Sequence, residues 1–193
     1  MDILDDDREI CRFAASVFGG APDVRRYYDD RKKSHMDILR CQSSPYEGIN
    51  SYSTVGLSAY SLLHEGKEHP ARVELVGACG ARCSSYDNIL ATAAFCVINS
   101  KWFCCPTAIF PDVISVHNVS KTLKHLFFTD PFLWNDGLVP LSTASRRVSW
   151  LQAVPISDME RAFAGHEGGD KLQELFIAKQ IDVFDLNRPS VKV

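Results

Sequence analysis

The sequence predicts one α+β domain spanning residues 1–193. Helical apolar stripes occur near both ends and in the middle, with short strand-like runs between them. No internal repeat, low-complexity linker or shift in composition divides the chain. A chain of 193 residues can bury roughly 70% of its unfolded surface, so it needs no metal or disulfide to fold. Hydrophobic residues make up 46% and charged residues 23%, the proportions of an ordinary globular protein.

The first element is a helix over about Asp6–Phe18, with Ile10, Phe13, Ala14, Val17 and Phe18 forming one stripe. Asp6 and Glu9 have the spacing of a capping box, and Gly19-Gly20 before Pro22 forms a stop. Strands follow at Val24–Tyr28 and Met36–Cys41, joined by a polar hairpin loop at residues 29–34. In the second strand Met36, Ile38 and Arg40 share one face, and Asp37, Leu39 and Cys41 the other. Ser51–Ser58 reads as a strand with Tyr52, Thr54, Gly56 and Ser58 on one face. Gly56 there suggests a bulge or a close backbone approach. A turn at Glu65-Gly66-Lys67 precedes a strand over Arg72–Cys79.

A helix over about Ser85–Phe103, capped by Ser84 or Ser85 and ended by Pro106, is apolar on a broad face and therefore buried on most sides. Val113-Ile114 and His125–Phe128 are strand candidates, the latter closed by Pro131. Arg147–Ile156 is a further strand. Ser157 with Glu160 is a capping box opening a helix that pauses at Gly165 and breaks at Gly168-Gly169. Leu172, Leu175 and Phe176 mark the next helix, and Ile181–Phe184 a last short strand.

Charge and motifs exclude several functions. The net charge is −3, without the basic footprint of a general nucleic-acid binder. Arg25-Arg26-Tyr27-Tyr28 and Arg31-Lys32-Lys33 are offset by Asp23, Asp29, Asp30 and Asp37, so they read as a solvated hairpin. The start, MDILDDDREI, lacks the positive and apolar regions of a signal peptide, and no apolar run is long enough to span a membrane. A cytoplasmic protein is expected.

The seven cysteines (Cys11, Cys41, Cys79, Cys83, Cys96, Cys104 and Cys105) read as small hydrophobes. A zinc site would have to combine Cys79 and Cys83 with adjacent Cys104-Cys105, a spacing that structural zinc rarely uses. No phosphate loop or dinucleotide fingerprint is present, and Gly56-Leu57-Ser58 is not a nucleophile elbow. No cofactor and no catalysis are expected. The enzymatic alternative is a small hydrolase or thiol enzyme using Ser53 or Cys104 with one of six histidines. Aromatic density is a stronger signal, with Trp102-Phe103, Phe110, Phe127-Phe128, Phe132 and Trp134 close together in sequence. Most should be core, and a few are candidates for a binding surface.

Four runs taken together resemble the suppressor-of-fused domain family. They are Tyr52–Ser58, Arg72–Leu75, His125–Phe128 and Trp150–Ser157, and the tail Ile181–Val191 fits as well. The similarity runs in order from about Phe18 to Val191. It implies a mixed, largely antiparallel sheet flanked by helices, and a protein-binding role without catalysis. The Asp-Leu-Asn-Arg ending and the length resemble bacterial members, several of which are immunity proteins (antitoxins) of polymorphic toxin systems, some paired with nucleases. The animal relative has a second domain and binds a peptide, and this chain lacks room for that domain. The expected function is therefore neutralisation of a cognate toxin by direct binding, with no direct contact to nucleic acid or membrane. The alternative is a regulatory scaffold that binds a peptide by adding a strand to its sheet. Tyr52, Thr54, Trp102, Phe132 and Trp134 are the candidate contact residues.

Overall fold

A computed structural model describes residues 3–83 and 85–192. Its helices are α1 (Ile3–Phe18), α2 (Tyr86–Ser100), α3 (Asp158–Glu167) and α4 (Gly169–Lys179). Its strands are β1 (Ala21–Tyr28), β2 (His35–Gln42), β3 (Ile49–Val55), β4 (Leu62–His64), β5 (Lys67–His69), β6 (Arg72–Gly80), β7 (Ile109–Phe110), β8 (Leu123–Thr129), β9 (Leu141–Ser142) and β10 (Arg147–Ser157). The main sheet runs β1-β2-β3-β6-β10-β8-β7, with β9 paired to the start of β10. All neighbours are antiparallel except β6 and β10, which run parallel from Val148 opposite Arg72 to Gln152 opposite Val76. The sheet is mixed and largely antiparallel, and β4 and β5 form a separate hairpin.

Helices cover both faces, which is why the central strands are apolar runs rather than alternating ones. Helix α2 packs on one face against Met36, Ile38, Tyr52, Leu75, Phe128 and Leu151. Helix α1 takes half of the other face, over Leu39, Cys41, Val76, Ala78 and Trp150. Helices α3 and α4 take the other half, over Phe127, Val154 and Ile156. The strand pleat sorts neighbours, sending Phe127 to α4 and Phe128 to α2. The two-faced reading of β2 holds for the same reason.

Several elements differ from the sequence reading. Helix α1 starts at Ile3, so Asp6 is not its cap. The Asp6 carboxylate instead bonds the Ser145 hydroxyl and Arg146 Nη1, the latter at 3.2 Å. Helix α2 ends at Ser100 because Lys101 turns left-handed at φ 57°. Trp102 and Phe103 are apolar because they pack on the core, not because the helix continues. Ser84 lies outside the described residues, and the Ser85 hydroxyl makes no cap bond. Val113 and Ile114 are buried in a turn, not a strand; burial alone accounts for their composition. Ile181–Phe184 is likewise not a strand: Ile181 N closes α4 on Phe176 O, and Phe184 O accepts from Gly80 N at 3.0 Å. Helix α3 runs through Gly165 and stops at Gly168, at φ 95°. The Ser157–Glu160 capping box is present in full.

The stretch after Tyr52 is the clearest case. Strand β3 stops at Val55, and Gly56 at φ 97° turns the chain into a short 3₁₀ turn, Leu57–Ala59. A Cβ on Gly56 would sit 3.1 Å from the Asp7 carboxylate, so the glycine also permits close approach to α1. Its turn wraps the fully buried Glu74. The Glu74 carboxylate accepts from the backbone N–H of Gly56, Leu57 and Ser58 at 3.1, 3.2 and 2.9 Å. It also accepts from the hydroxyls of Thr54 and Ser58 at 2.5 and 2.6 Å. Burial raises the Glu74 pKa, and those donors pull against the rise. Arg146 extends the network from Ser58 Oγ to Asp6 and Asp7 on α1.

Candidate protein-interaction surface

Of the five predicted contact residues, three are core. Tyr52 lies 2% exposed with its ring 5.2 Å from that of Tyr86. Thr54 is fully buried on Glu74. Trp134 packs 4.8 Å from Phe18 and donates its indole N–H to Ser51 Oγ at 2.9 Å. All three are buried: Tyr52 and Thr54 because both faces of β3 are covered, and Trp134 because the segment between β8 and β9 packs into the core under α1. Trp102 is half-buried, edge-on to Phe110 at 5.1 Å. Phe132 is 53% exposed.

The enzymatic alternative gains no geometry. The Ser53 hydroxyl donates to the Thr54 carbonyl at 2.7 Å, and Cys104 is buried with its thiol pushed up by desolvation. Among the described residues no histidine bonds either group. No three His, Cys, Asp or Glu side chains gather as a metal site there. One thiol differs from the others. Cys83, just before α2, has its thiol held below the ordinary value by its neighbour Cys79 and the amides of Ser85 and Tyr86, as thiols at helix N-termini are. It has no histidine partner either.

His125 is fully buried but has a structural role. Its Nδ1 accepts from Asp112 N at 2.8 Å, so its Nε2 carries the proton given to Asp158 Oδ1 at 2.9 Å. Bonds from Lys124 and then His125 hold the Asp158 carboxyl below its ordinary value. A depressed folded-state value means stability that is present above about pH 4 and is lost as pH falls through the folded value. The thermal midpoint of Asp158→Asn should therefore lie below wild type at neutral pH and converge on it as pH falls through the folded value. A gap independent of pH, read by circular-dichroism melts, would contradict this.

Two surface features bear on binding. Strand β1 is an edge strand with an exposed side, as strand addition requires. However, it carries Pro22, Asp23, Arg25 and Arg26, the devices that keep edges from pairing. The other feature is a groove of about 470 Å³ between the loop after β8 and helix α4. Its buried lining includes Val154 and Phe176, and Phe132 and Ile177 stand exposed beside them, Ile177 at 78%. Gln173 and Gln180 complete the helix side. Phe132 is not loose: its backbone N–H donates to the buried Gln152 Oε1 at 3.1 Å. Phe132 was a candidate from aromatic density, whereas Ile177 lies outside the Leu172, Leu175 and Phe176 stripe and nothing in the sequence marks it.

The sequence model of the suppressor of fused protein family (SUFU) matches residues 32–189. The chain belongs to this family. Among SUFU relatives, immunity protein YqcF of Bacillus subtilis (strain 168) is 43% identical over 191 residues, covering 99% of this chain and all of that one. Solved SUFU structures share the fold at lower identity. A putative SUFU homologue from Neisseria gonorrhoeae superposes with a TM-score of 0.71 at 13% identity, over 97% of both chains. Drosophila Suppressor of Fused gives 0.61 at 13% identity, over 93% of this chain but 50% of that one. A Sufu–Fu complex structure gives 0.65, also at 13% identity, over 94% of this chain and 91% of that one. The SUFU match starts at Lys32, inside the β1–β2 loop, and contains both sides of the groove. Among the described residues no helix is long and apolar enough to cross a membrane.

Proposed function

We propose that this SUFU protein is a cytoplasmic, non-catalytic immunity protein that neutralises a cognate toxin by binding and covering it. The observation that carries this reading is the 43% identity to an immunity protein over 99% of the chain. The side-chain geometry supports it, since among the described residues the Ser53 hydroxyl is spent on the Thr54 carbonyl and Cys104 is buried without a histidine bond. The net charge of −3 suits a basic partner such as a nuclease. The preformed surface includes Phe132 and Trp102, which the fold leaves accessible in whole or in part.

Co-expression with a toxin-domain protein, sought in the neighbouring coding sequence, tests the proposal. Cells should survive, and the two proteins should co-elute as a complex at nanomolar concentration. Ser53→Ala and Cys104→Ala should protect as well as wild type. Failure of the wild-type chain to protect or to form the complex would end the reading. Loss of protection in either variant, with the fold intact, would return the enzymatic alternative.

A further inference from the structure

The groove beside α4 has a chemistry more specific than an apolar patch. Scattered exposed apolar residues are normal on any surface. Here two of them, Phe132 and Ile177, flank one concavity whose depth is already apolar. Its volume of about 470 Å³ lies within the ~300–1,000 Å³ of clefts that take compact ligands. The lining holds one charged residue, Asp130, which is exposed and makes no ion pair among the described residues. The other polar side chains at the helix are the uncharged amides of Gln173 and Gln180.

We infer that this groove receives an arginine side chain carried on an apolar segment of the partner protein. An arginine stem is apolar and its tip is a cation, so stem and tip match floor and rim in turn. Its planar guanidinium can stack on the Phe132 ring and reach the Asp130 carboxylate with two N–H groups, which a lysine cannot do. The Gln152 bond fixes the Phe132 backbone before binding, so less ordering is left to the encounter. The volume exceeds one side chain, leaving space over Ile177 for an apolar neighbour of the arginine. Only the identity of the partner, a toxin, rests on the immunity-protein reading; the groove's preference does not.

The test is an amide NMR titration of the full chain with acetyl-Leu-Arg-Leu-amide at millimolar concentration. Shifts should concentrate at residues 130–132 and 173–183. Acetyl-Leu-Glu-Leu-amide, or the Arg peptide against Asp130→Lys, should bind about fivefold more weakly. Ile177→Lys, which removes apolar surface and adds a like charge, should weaken the Arg peptide similarly, and both substituted positions are exposed, so the fold should survive. Absent shifts, or equal response to the two peptides, would overturn the inference. If the wild-type chain protects cells while Asp130→Lys and Ile177→Lys protect fully, the groove is not the contact and the inference also fails. If wild type gives no protection yet the peptide shifts appear, the immunity reading falls and the groove's preference stands.

Discussion

Replacing Arg188 by alanine should lower the unfolding free energy by about 3–5 kcal/mol, as breaking a buried ion pair from one side does. Arg188 is 5% exposed and lies against the fully buried Glu160. Its Nη1 and Nη2 donate to the two Glu160 oxygens at 2.6 and 2.9 Å, and Nη2 also donates to the Pro155 carbonyl at 2.9 Å. The guanidinium lies 5.5 Å from the Phe176 ring centre. Glu160 itself caps α3 through Ser157 N and receives Val191 N at 2.8 Å. Removing Arg188 strands that carboxylate in the core and releases residues 185–191 from β10. Arg188→Lys should recover only part of the loss, since an ammonium cannot match two oxygens in a fixed fork. Glu160→Gln together with Arg188→Met should cost less than the sum of the single changes, because no charge is then left unpaired. Urea unfolding followed by fluorescence measures each variant, and a loss under about 1 kcal/mol for Arg188→Ala would refute the account.

Glu74→Leu should cost about 4 kcal/mol or more. Five donors converge on the carboxylate, three of them backbone N–H groups that cannot rotate away. A buried donor left without an acceptor costs about 1–3 kcal/mol each. The change also lets the Gly56–Ser58 turn drift, and with it Arg146 and its hold on α1. Glu74→Gln should cost less, about 2 kcal/mol, because one acceptor oxygen remains. If Glu74→Leu unfolded in urea at the wild-type midpoint, the turn would have to be held by packing alone.

These two sites differ in how visible they are from sequence. Glu74 sits inside Val73-Glu74-Leu75-Val76, where an isolated acid in an apolar strand signals a buried partner set. Arg188 lies in a polar tail and carries no local signal, since its partner is 28 residues away. The same distinction runs through the fold. The Ser157 box, the α1 stripe and the apolar β6 and β10 runs depend on neighbours in sequence, so they were readable. Val113-Ile114 are apolar because a turn is buried, and Ile181, Val183 and Phe184 because a turn packs half-buried on the core, causes that strand patterns cannot separate from a sheet. Tyr52, Thr54 and Trp134 looked like recognition residues because buried and displayed aromatics and hydroxyls read alike in one dimension. Family resemblance supplied the sheet type, which periodicity alone left open. The groove was half readable, through Phe132, while Ile177 and Asp130 gain meaning only from the crossing of α4 with the loop after β8.

The parallel pairing of β6 with β10 sets a schedule as well as a shape. On a ribosome, β6 is complete at residue 80, but its second neighbour is not synthesised until residue 157. At about 5–20 residues per second, that is roughly 4–15 s with an apolar strand open along one edge. Contacts this distant in sequence also close slowly after release. On the proposed function, protection lags synthesis by this interval. A cell would then depend on protein already folded in its stock, so the bond pattern at the sheet's centre limits how late expression can begin.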